Sequence, residues 1–171
     1  MKNRGGRFLS VEISRRRPNR LPDYDYAQTG VYFLTVCTRN RECILSTISV
    51  GAVIGRPPSV ELTEIGKHAE IALVDIPNHY KGVFLDHYVI MPNHIHLLLR
   101  FENENGRPMT APTVQQIINQ FKGIVTKRVG LAVWQKGFYD HIVRDEYDYR
   151  IRWQYIDENP MRWAQKEHEK Q

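Results

Sequence analysis

Residues 83–100 read VFLDHYVIMPNHIHLLLR, and this stretch decides the fold. Two runs rich in β-branched, aromatic and aliphatic residues, 83–90 and 94–100, flank the turn sequence MPN at 91–93. Runs of this kind predict β-strands, and so short a connection predicts that the two strands pair as a hairpin. The sequence therefore predicts an antiparallel sheet with this hairpin inside it.

The rest of the chain supplies further strands and amphipathic helices around this hairpin. A capping-box pattern, Thr113 with Gln116, opens the second helix, and Pro160 is predicted to end the last one. Residues 44–61 predict a loop with a short ribbon. The predicted strands outside the hairpin are 31–38 and 138–144, and the predicted helices are Thr63 to Pro77, 113–129 and 145–159. This order is typical of an α+β, ferredoxin-like antiparallel sheet with helices packed on one face.

Composition excludes several classes of protein. A chain of 171 residues suits one domain, and no apolar run approaches the roughly 20 residues of a membrane helix. Two cysteines make neither a disulfide framework nor a zinc ligand set, which favours a reducing, cytoplasmic compartment. We divide the chain into a basic arm (1–22), a main domain (23–165) and a polar tail (166–171).

The positive charge is concentrated at the start of the chain. Residues 1–20 carry seven basic side chains against Glu12, a net charge of +6, whereas the whole chain carries +5. The remaining residues therefore sum to −1. A basic arm on a near-neutral body indicates a polyanionic partner such as nucleic acid, and the alternative is a solvated tail.

The hairpin places two histidines on one face of its second strand. Side chains two residues apart share a strand face, so His94 and His96 project together. The opposite face, predicted to be core, carries Ile95, Leu97 and Leu99. Two neutral imidazoles can share a transition metal, and the alternative is a polar sheet face on which two histidines coincide.

The last predicted helix has two distinct faces. Its core stripe is predicted to hold Tyr149, Trp153 and Ile156. Tyr155 falls on a polar face that it shares with Asp148, Arg152 and Asn159. This face predicts a tyrosine nucleophile beside a metal ligand, or else an exposed aromatic residue on an ordinary helix. Tyr147, in the first turn, is a second candidate nucleophile.

Three motifs together resemble a known family. They are VIMPNHIHLLLR (89–100), WQKGFYDHIVRDEYDYR (134–150) and YIDENP (155–160). In this order and separation they resemble the single-tyrosine HUH transposases, and within them the REP-associated tyrosine transposases. The resemblance covers roughly residues 20–163 and implies the HUH endonuclease fold, which is a ferredoxin-like sheet.

The resemblance also implies a chemistry and a set of site residues. His94 and His96 would be metal ligands for Mg²⁺ or Mn²⁺, and Tyr155 would be the catalytic nucleophile. The wider family has glutamine four residues after the tyrosine, where this chain has Asn159 with a shorter side chain that presents the same amide oxygen. The implied product is a 5′-phosphotyrosine with a free 3′-hydroxyl, as in cleavage and strand transfer during DNA transposition and recombination.

The implied substrate is single-stranded DNA with a palindromic hairpin. The expected phosphate contacts are Arg15, Arg16, Arg17, Arg20, Lys122 and Arg152. A cytoplasmic, nucleoid-associated protein is expected, either a monomer or a homodimer. Two alternatives remain: a non-catalytic regulator that binds hairpin DNA on the same fold, and a metal-dependent phosphodiesterase that uses water.

Overall fold

The computed structural model describes residues 30–49, 58–102 and 112–169. The predicted basic arm, with Arg15, Arg16, Arg17 and Arg20, lies outside these residues. The described strands are β1 (Gly30–Cys37), β2 (Ser46–Ser49), β3 (Ser59–Leu62), β4 (Val83–Met91), β5 (His94–Phe101) and β6 (Tyr139–Val143). The described helices are α1 (Glu64–Val74), α2 (Ile76–His79), α3 (Val114–Val129) and α4 (Glu146–His168).

Four strands form the main sheet in the order β4-β5-β1-β6, and every neighbouring pair is antiparallel. The predicted hairpin is confirmed, since Met91 pairs with His94 and Ile90 with Ile95. Strands β2 and β3 form a separate two-stranded ribbon, as the sequence predicts for residues 44–61. This order brings β1 beside β5, so that β1 residues border the predicted histidine pair.

One face of the sheet carries the main hydrophobic core. Alternate residues of β1 and β5 enter it, and all are fully buried: Tyr32, Leu34, Val36, Ile95, Leu97 and Leu99. Helices α1 and α3 cover this face with residues that include Leu73, Ile117 and Phe121. The capping box at the start of α3 is confirmed, with Thr113 accepting from Gln116 N and Gln116 Oε1 accepting from Thr113 N.

Helix α4 lies on the opposite face of the sheet. Its Ile156 is buried against Phe33 of β1 and Leu98 of β5 in a second, smaller apolar cluster. The α+β antiparallel class is as predicted, but the helices cover both faces rather than one. The reason is the alternation along β5, which gives Leu98 and the two histidines to the face away from the main core.

Helix α4 differs from the prediction at its end. It continues through Pro160 to His168, so the first residues of the predicted polar tail are helical. Proline removes one backbone donor and crowds the preceding turn, a cost of about 3 kcal/mol. Packing beyond the proline offsets this cost, because Ala164 is buried and the Trp163 ring lies 6.1 Å from that of His94.

The predicted core stripe of α4 is only partly correct. Ile156 is buried, Tyr149 is half-buried, and Trp153 remains 36% exposed. The Trp153 indole lies flat on the His87 ring, with centroids 4.1 Å apart, at the edge strand β4. This position at the edge of the sheet leaves the indole partly exposed among the described residues. Among the described residues, no helix is long and apolar enough to cross a membrane.

Candidate active site

The two predicted histidines converge on one point. The Nε2 atoms of His94 and His96 lie 3.0 Å apart, and the side chains are only 8% and 5% exposed. Both project from β5 toward α4, away from the main core. The predicted convergence on one face is therefore confirmed.

Each imidazole is oriented through its other nitrogen. His94 Nδ1 donates to Asn93 Oδ1 at 2.7 Å, and Asn93 is held in turn because its Nδ2 donates to the Arg41 carbonyl at 3.2 Å. His96 Nδ1 lies 2.9 Å from Thr35 Oγ1 on the neighbouring strand. An amide oxygen only accepts, so the proton of His94 is on Nδ1 and its Nε2 presents a lone pair.

The Thr35 hydroxyl can serve His96 in two ways. When it donates to Nδ1, the His96 Nε2 proton bonds to His94 Nε2. When it accepts from Nδ1, both Nε2 lone pairs point into the same space, an arrangement that needs a cation between them. The two states differ by rotation of the Thr35 hydroxyl and by transfer of the His96 ring proton from Nε2 to Nδ1, so the pair is suited to take up a cation without moving the backbone.

Both imidazoles are neutral at physiological pH. Burial, with a contribution from the nearby positive charge of Arg41, lowers the pKa of His94 to about 4, although a hydrogen bond with Asn159 acts in the opposite direction. Burial, reinforced by His94 and Arg41, lowers the pKa of His96 to about 3. Neutral imidazole is the form that binds metal ions.

Helix α4 places Tyr155 and Asn159 against the histidines. The Tyr155 ring stands edge-on to His96 with centroids 5.2 Å apart, and it also contacts the Phe33 ring at 5.9 Å. Asn159 is buried one turn further along, and its Nδ2 donates to the Tyr155 carbonyl at 3.4 Å. The face that the sequence identifies as polar is thus pressed onto the sheet rather than open to solvent.

A second polar group borders Tyr155. Asp148 accepts from Arg152 Nε at 3.0 Å and from His141 Nε2 at 2.7 Å, which ties α4 to β6. The Arg152 guanidinium lies 5.5 Å from the centre of the Phe33 ring. Burial opposes the ionised Asp148 carboxylate, but the hydrogen bonds from His141 and Arg152 hold its pKa below the usual value. Arg152 therefore lies at the Phe33 ring that Tyr155 also contacts, and it is already paired.

Other predicted residues lie away from this site. Lys122 is on α3, across the sheet, where its Nζ donates to the carbonyls of Gln135 and Gly137. Its ammonium group is thus engaged in holding that loop, and its predicted DNA contact stays a prediction. Tyr147 is 72% exposed in the first turn of α4.

The described residues contain no group of three His, Cys, Asp or Glu side chains able to hold a metal ion. Within the described ranges, the Asn159 amide oxygen is the predicted third ligand, and its side chain is hydrogen-bonded with His94. Thr35, Asn93, Phe33, His141 and Arg41 were missed by the sequence analysis as neighbours of the site. Only a correct β1–β5 register, which pairs Thr35 with His96, could have found the first of them.

A comparison with solved structures identifies the fold class of this chain. A solved REP-associated tyrosine transposase bound to a REP hairpin superposes on 84% of this chain and 73% of its own, with a TM-score of 0.60 and 22% identity. The chain therefore has the α+β fold of the REP-associated tyrosine transposases, which confirms the predicted fold class.

The family follows from a closer relative. An uncharacterized protein of Haemophilus influenzae is 32% identical over 173 residues, which cover 90% of this chain and 92% of that protein. The chain belongs to the same family as this protein. No family model matches the chain.

Proposed function

We propose that the protein is a metal-dependent single-stranded DNA endonuclease and strand transferase of the transposase kind. It acts on hairpin or palindromic DNA through a 5′-phosphotyrosine intermediate. The observation that carries the proposal is the meeting of three groups from two elements: the paired Nε2 atoms of β5, the Tyr155 ring of α4 and the buried Asn159.

Tyr155 is the proposed nucleophile. Its oxygen forms a bond to phosphorus as the bond from phosphorus to the 3′-oxygen of the preceding nucleotide breaks. The phenol proton is released to solvent, and the leaving 3′-oxygen takes up a proton. Because the new phosphotyrosine keeps a phosphodiester linkage, a 3′-hydroxyl can attack it and rejoin the strands without ATP. The packing against His96 and Phe33 holds the ring in one orientation for this attack.

The residues around the histidines fit a divalent cation, Mg²⁺ or Mn²⁺. His94 and His96 would hold it through Nε2 and Asn159 through its amide oxygen, while Asn93 and Thr35 keep the imidazoles in the ligating orientation. When bound, such a cation neutralises negative charge that develops on the phosphate oxygens. The site has few protein ligands, which leaves positions open for a substrate oxygen.

Hairpin DNA is the proposed substrate because the solved transposase with this fold is bound to a REP hairpin. The chain's own charge supports a polyanionic partner, since the +6 of residues 1–20 exceeds the net charge of the whole chain. A basic segment next to a neutral body raises the rate and affinity of association with DNA, and it does so without reading a sequence.

The decisive experiment detects the covalent intermediate. The protein is incubated with Mn²⁺ and single-stranded hairpin oligonucleotides taken from the flanks of its own gene, and the products are separated on a denaturing gel. We expect a protein–DNA adduct with the wild type and none with Tyr155→Phe. Tyr147→Phe is the matched control on the same helix and should form the adduct as the wild type does.

Each other result has a defined meaning. Cleavage to free 5′-phosphate ends without an adduct would replace the transferase with a phosphodiesterase that uses water. Hairpin binding without cleavage would make the protein a regulator. An adduct that Tyr147→Phe removes and Tyr155→Phe retains would move the nucleophile to the first turn of α4.

A further inference from the structure

A basic cleft lies beside the candidate active site, at the end of β1. We use this name for a cavity of about 640 Å³ lined by Arg39, Asn40, Arg41, Ala132, Trp134, Gln135 and Lys136. Its volume is within the roughly 300–1,000 Å³ typical of ligand clefts. The cleft is outside the site described above and contains none of its proposed catalytic or metal-binding residues.

Backbone hydrogen bonds hold the two walls of the basic cleft together. Arg39 N donates to the Val133 carbonyl at 2.8 Å, and Gln135 N donates to the Cys37 carbonyl at 2.9 Å. Thr38 and Trp134 form an antiparallel bridge between these bonds. The Trp134 ring packs on Phe121 of α3, with centroids 5.4 Å apart. The walls are therefore anchored to the sheet and to the core.

The cations of the basic cleft are free to bind an anion. Arg39, Arg41 and Lys136 are exposed, and none of the three forms an ion pair with an acidic residue in the described part of the chain, neighbouring Glu42 included. Elsewhere in that part, arginines with acidic partners within reach form ion pairs, as Arg100 does with Asp86 and Arg162 with Glu158. The cleft thus concentrates three positive charges over a half-buried indole.

The basic cleft is joined directly to the histidine pair. The Arg41 carbonyl accepts from Asn93, and Asn93 orients His94. Asn40 and Arg41 both have left-handed backbone angles, with φ of 52° and 58°. Residues other than glycine rarely adopt such angles. Strained residues of this kind persist where the surroundings fix them, and they cluster at functional sites. Here the strained turn sets both the Asn93 contact and the cleft wall.

We propose that the basic cleft holds the sugar–phosphate backbone of the single DNA strand that continues from the scissile phosphate. This inference rests on the proposed function and adds a binding site to it. Arginine and lysine neutralise phosphates without reading sequence, and an aromatic ring beside them gives a base a surface on which to stack. The short path through Asn93 means that one strand can contact the cleft and the histidines together.

The test measures binding of a fluorescent thymidine dodecamer, which forms no hairpin, in the absence of divalent cations. Affinity is recorded by anisotropy from about 50 to 200 mM salt. For single strands each neutralised phosphate contributes about 0.7 to the slope of log affinity against log salt, so Arg39→Gln with Arg41→Gln should reduce the slope by about 1.4. Binding at the lowest salt should weaken as well.

Two further variants separate a local site from a general charge effect. Lys127→Gln with Arg128→Gln removes the same charge from exposed positions on α3, and it should leave the slope unchanged. Arg39→Lys with Arg41→Lys keeps both charges and should restore the slope. Circular dichroism of every variant establishes that the fold is intact.

This experiment can refute the basic cleft as the binding site for the strand without affecting the proposed function. An unchanged slope in the Arg39 and Arg41 double variant, or an equal loss in the α3 control, would refute the cleft as the strand site. The adduct assay is independent, because binding is measured without metal and without cleavage. A reduced slope in the Arg39 and Arg41 double variant, together with no adduct from the wild type, would support the cleft as the strand-binding site and would refute the proposed strand transferase activity.

Discussion

The two faces of the sheet are built from the same strands but serve different ends. Toward α1 and α3, β1 and β5 present Leu34 and Leu97 in a continuous apolar core. Toward α4, β1 presents Thr35, the residue after Leu34, and β5 presents His96, the residue before Leu97. In the part of the chain that the structure describes, a smaller apolar cluster of Phe33, Leu98 and Ile156 lies on this second face. Alternation along a strand thus separates the main apolar core from the proposed active site.

Polar contacts compensate for the small apolar cluster under α4. Tyr149 donates to Asp86, His87 pairs with Asp157, and Asp148 accepts from His141. Each of these bonds links α4 to a strand. Hydrogen bonds are directional, so they fix the position of α4 on the sheet as well as holding it there. A site shared between a helix and a strand requires such a fixed position.

The strongest test of this separation compares two adjacent residues of β5. Leu97→Ala should lower the free energy of unfolding by about 2–5 kcal/mol, because it opens a cavity in the main core, and folded protein should still form the DNA adduct. His96→Ala should abolish the adduct at any Mn²⁺ concentration while lowering stability by about 1–3 kcal/mol, through the lost bonds to Thr35 and His94. Urea unfolding and the adduct gel give both readouts.

Loss of the adduct in folded Leu97→Ala, or its persistence in His96→Ala, would break the division between the faces. His79→Ala is the matched histidine control, since His79 is exposed on α2 and belongs to neither apolar cluster. It should change neither stability nor adduct formation by a measurable amount.

We expect low pH to lower the free energy of unfolding first through the groups on the α4 face of the sheet. The pKa values of His94 and His96 are about 4 and about 3, against about 6.5 in an unfolded chain. Between these values the unfolded chain binds more protons than the folded one, so stability rises with pH. Lowering the pH from 7 to 5 should therefore cost on the order of 2–4 kcal/mol in unfolding free energy.

The His94→Gln and His96→Gln double variant should lose most of this pH dependence, whereas His79→Gln should keep it. Denaturant unfolding at a series of pH values measures the difference. An undiminished slope in the double variant would assign the acid sensitivity to groups outside the histidine pair.

A smaller effect is expected at the link between α4 and β6. Asp148→Asn should lower the free energy of unfolding by about 1 kcal/mol at neutral pH, since it weakens two charged hydrogen bonds that solvent partly reaches. The Asp148 pKa is held below its usual value, so the wild type loses this contribution as the pH falls below about 4. The variant should lack that loss, and an acid titration of stability in both proteins measures it.

The sequence predicts local features of the site better than its assembly. Alternation alone assigns Leu97 and His96 to opposite faces, and helical spacing alone puts Tyr155 beside Asn159. The pairing of Thr35 with His96 depends on which strands become neighbours, and no local pattern contains that information. Similarly, Pro160 predicts a helix end by backbone chemistry, and packing of residues further along the chain overrides it. The left-handed turn at Asn40 and Arg41 also has no glycine to signal it.

A similarly small effect concerns Tyr149, which the helical pattern assigns to the core and the structure places at its border. Its hydroxyl donates to Asp86 at 3.1 Å, and burial together with the Asp86 charge raises the Tyr149 pKa to about 12. Tyr149→Phe removes that bond but leaves Asp86 paired with Arg100, so we expect a loss of about 0.5–1.5 kcal/mol with full adduct formation. Urea unfolding and the adduct gel again provide the measurements. Tyr155→Phe on the same helix should show the reverse, with little change in stability and no adduct. If Tyr149→Phe also lost the adduct while remaining folded, the α4–sheet bonds would be positioning the nucleophile directly, and the two roles of this face could not be separated.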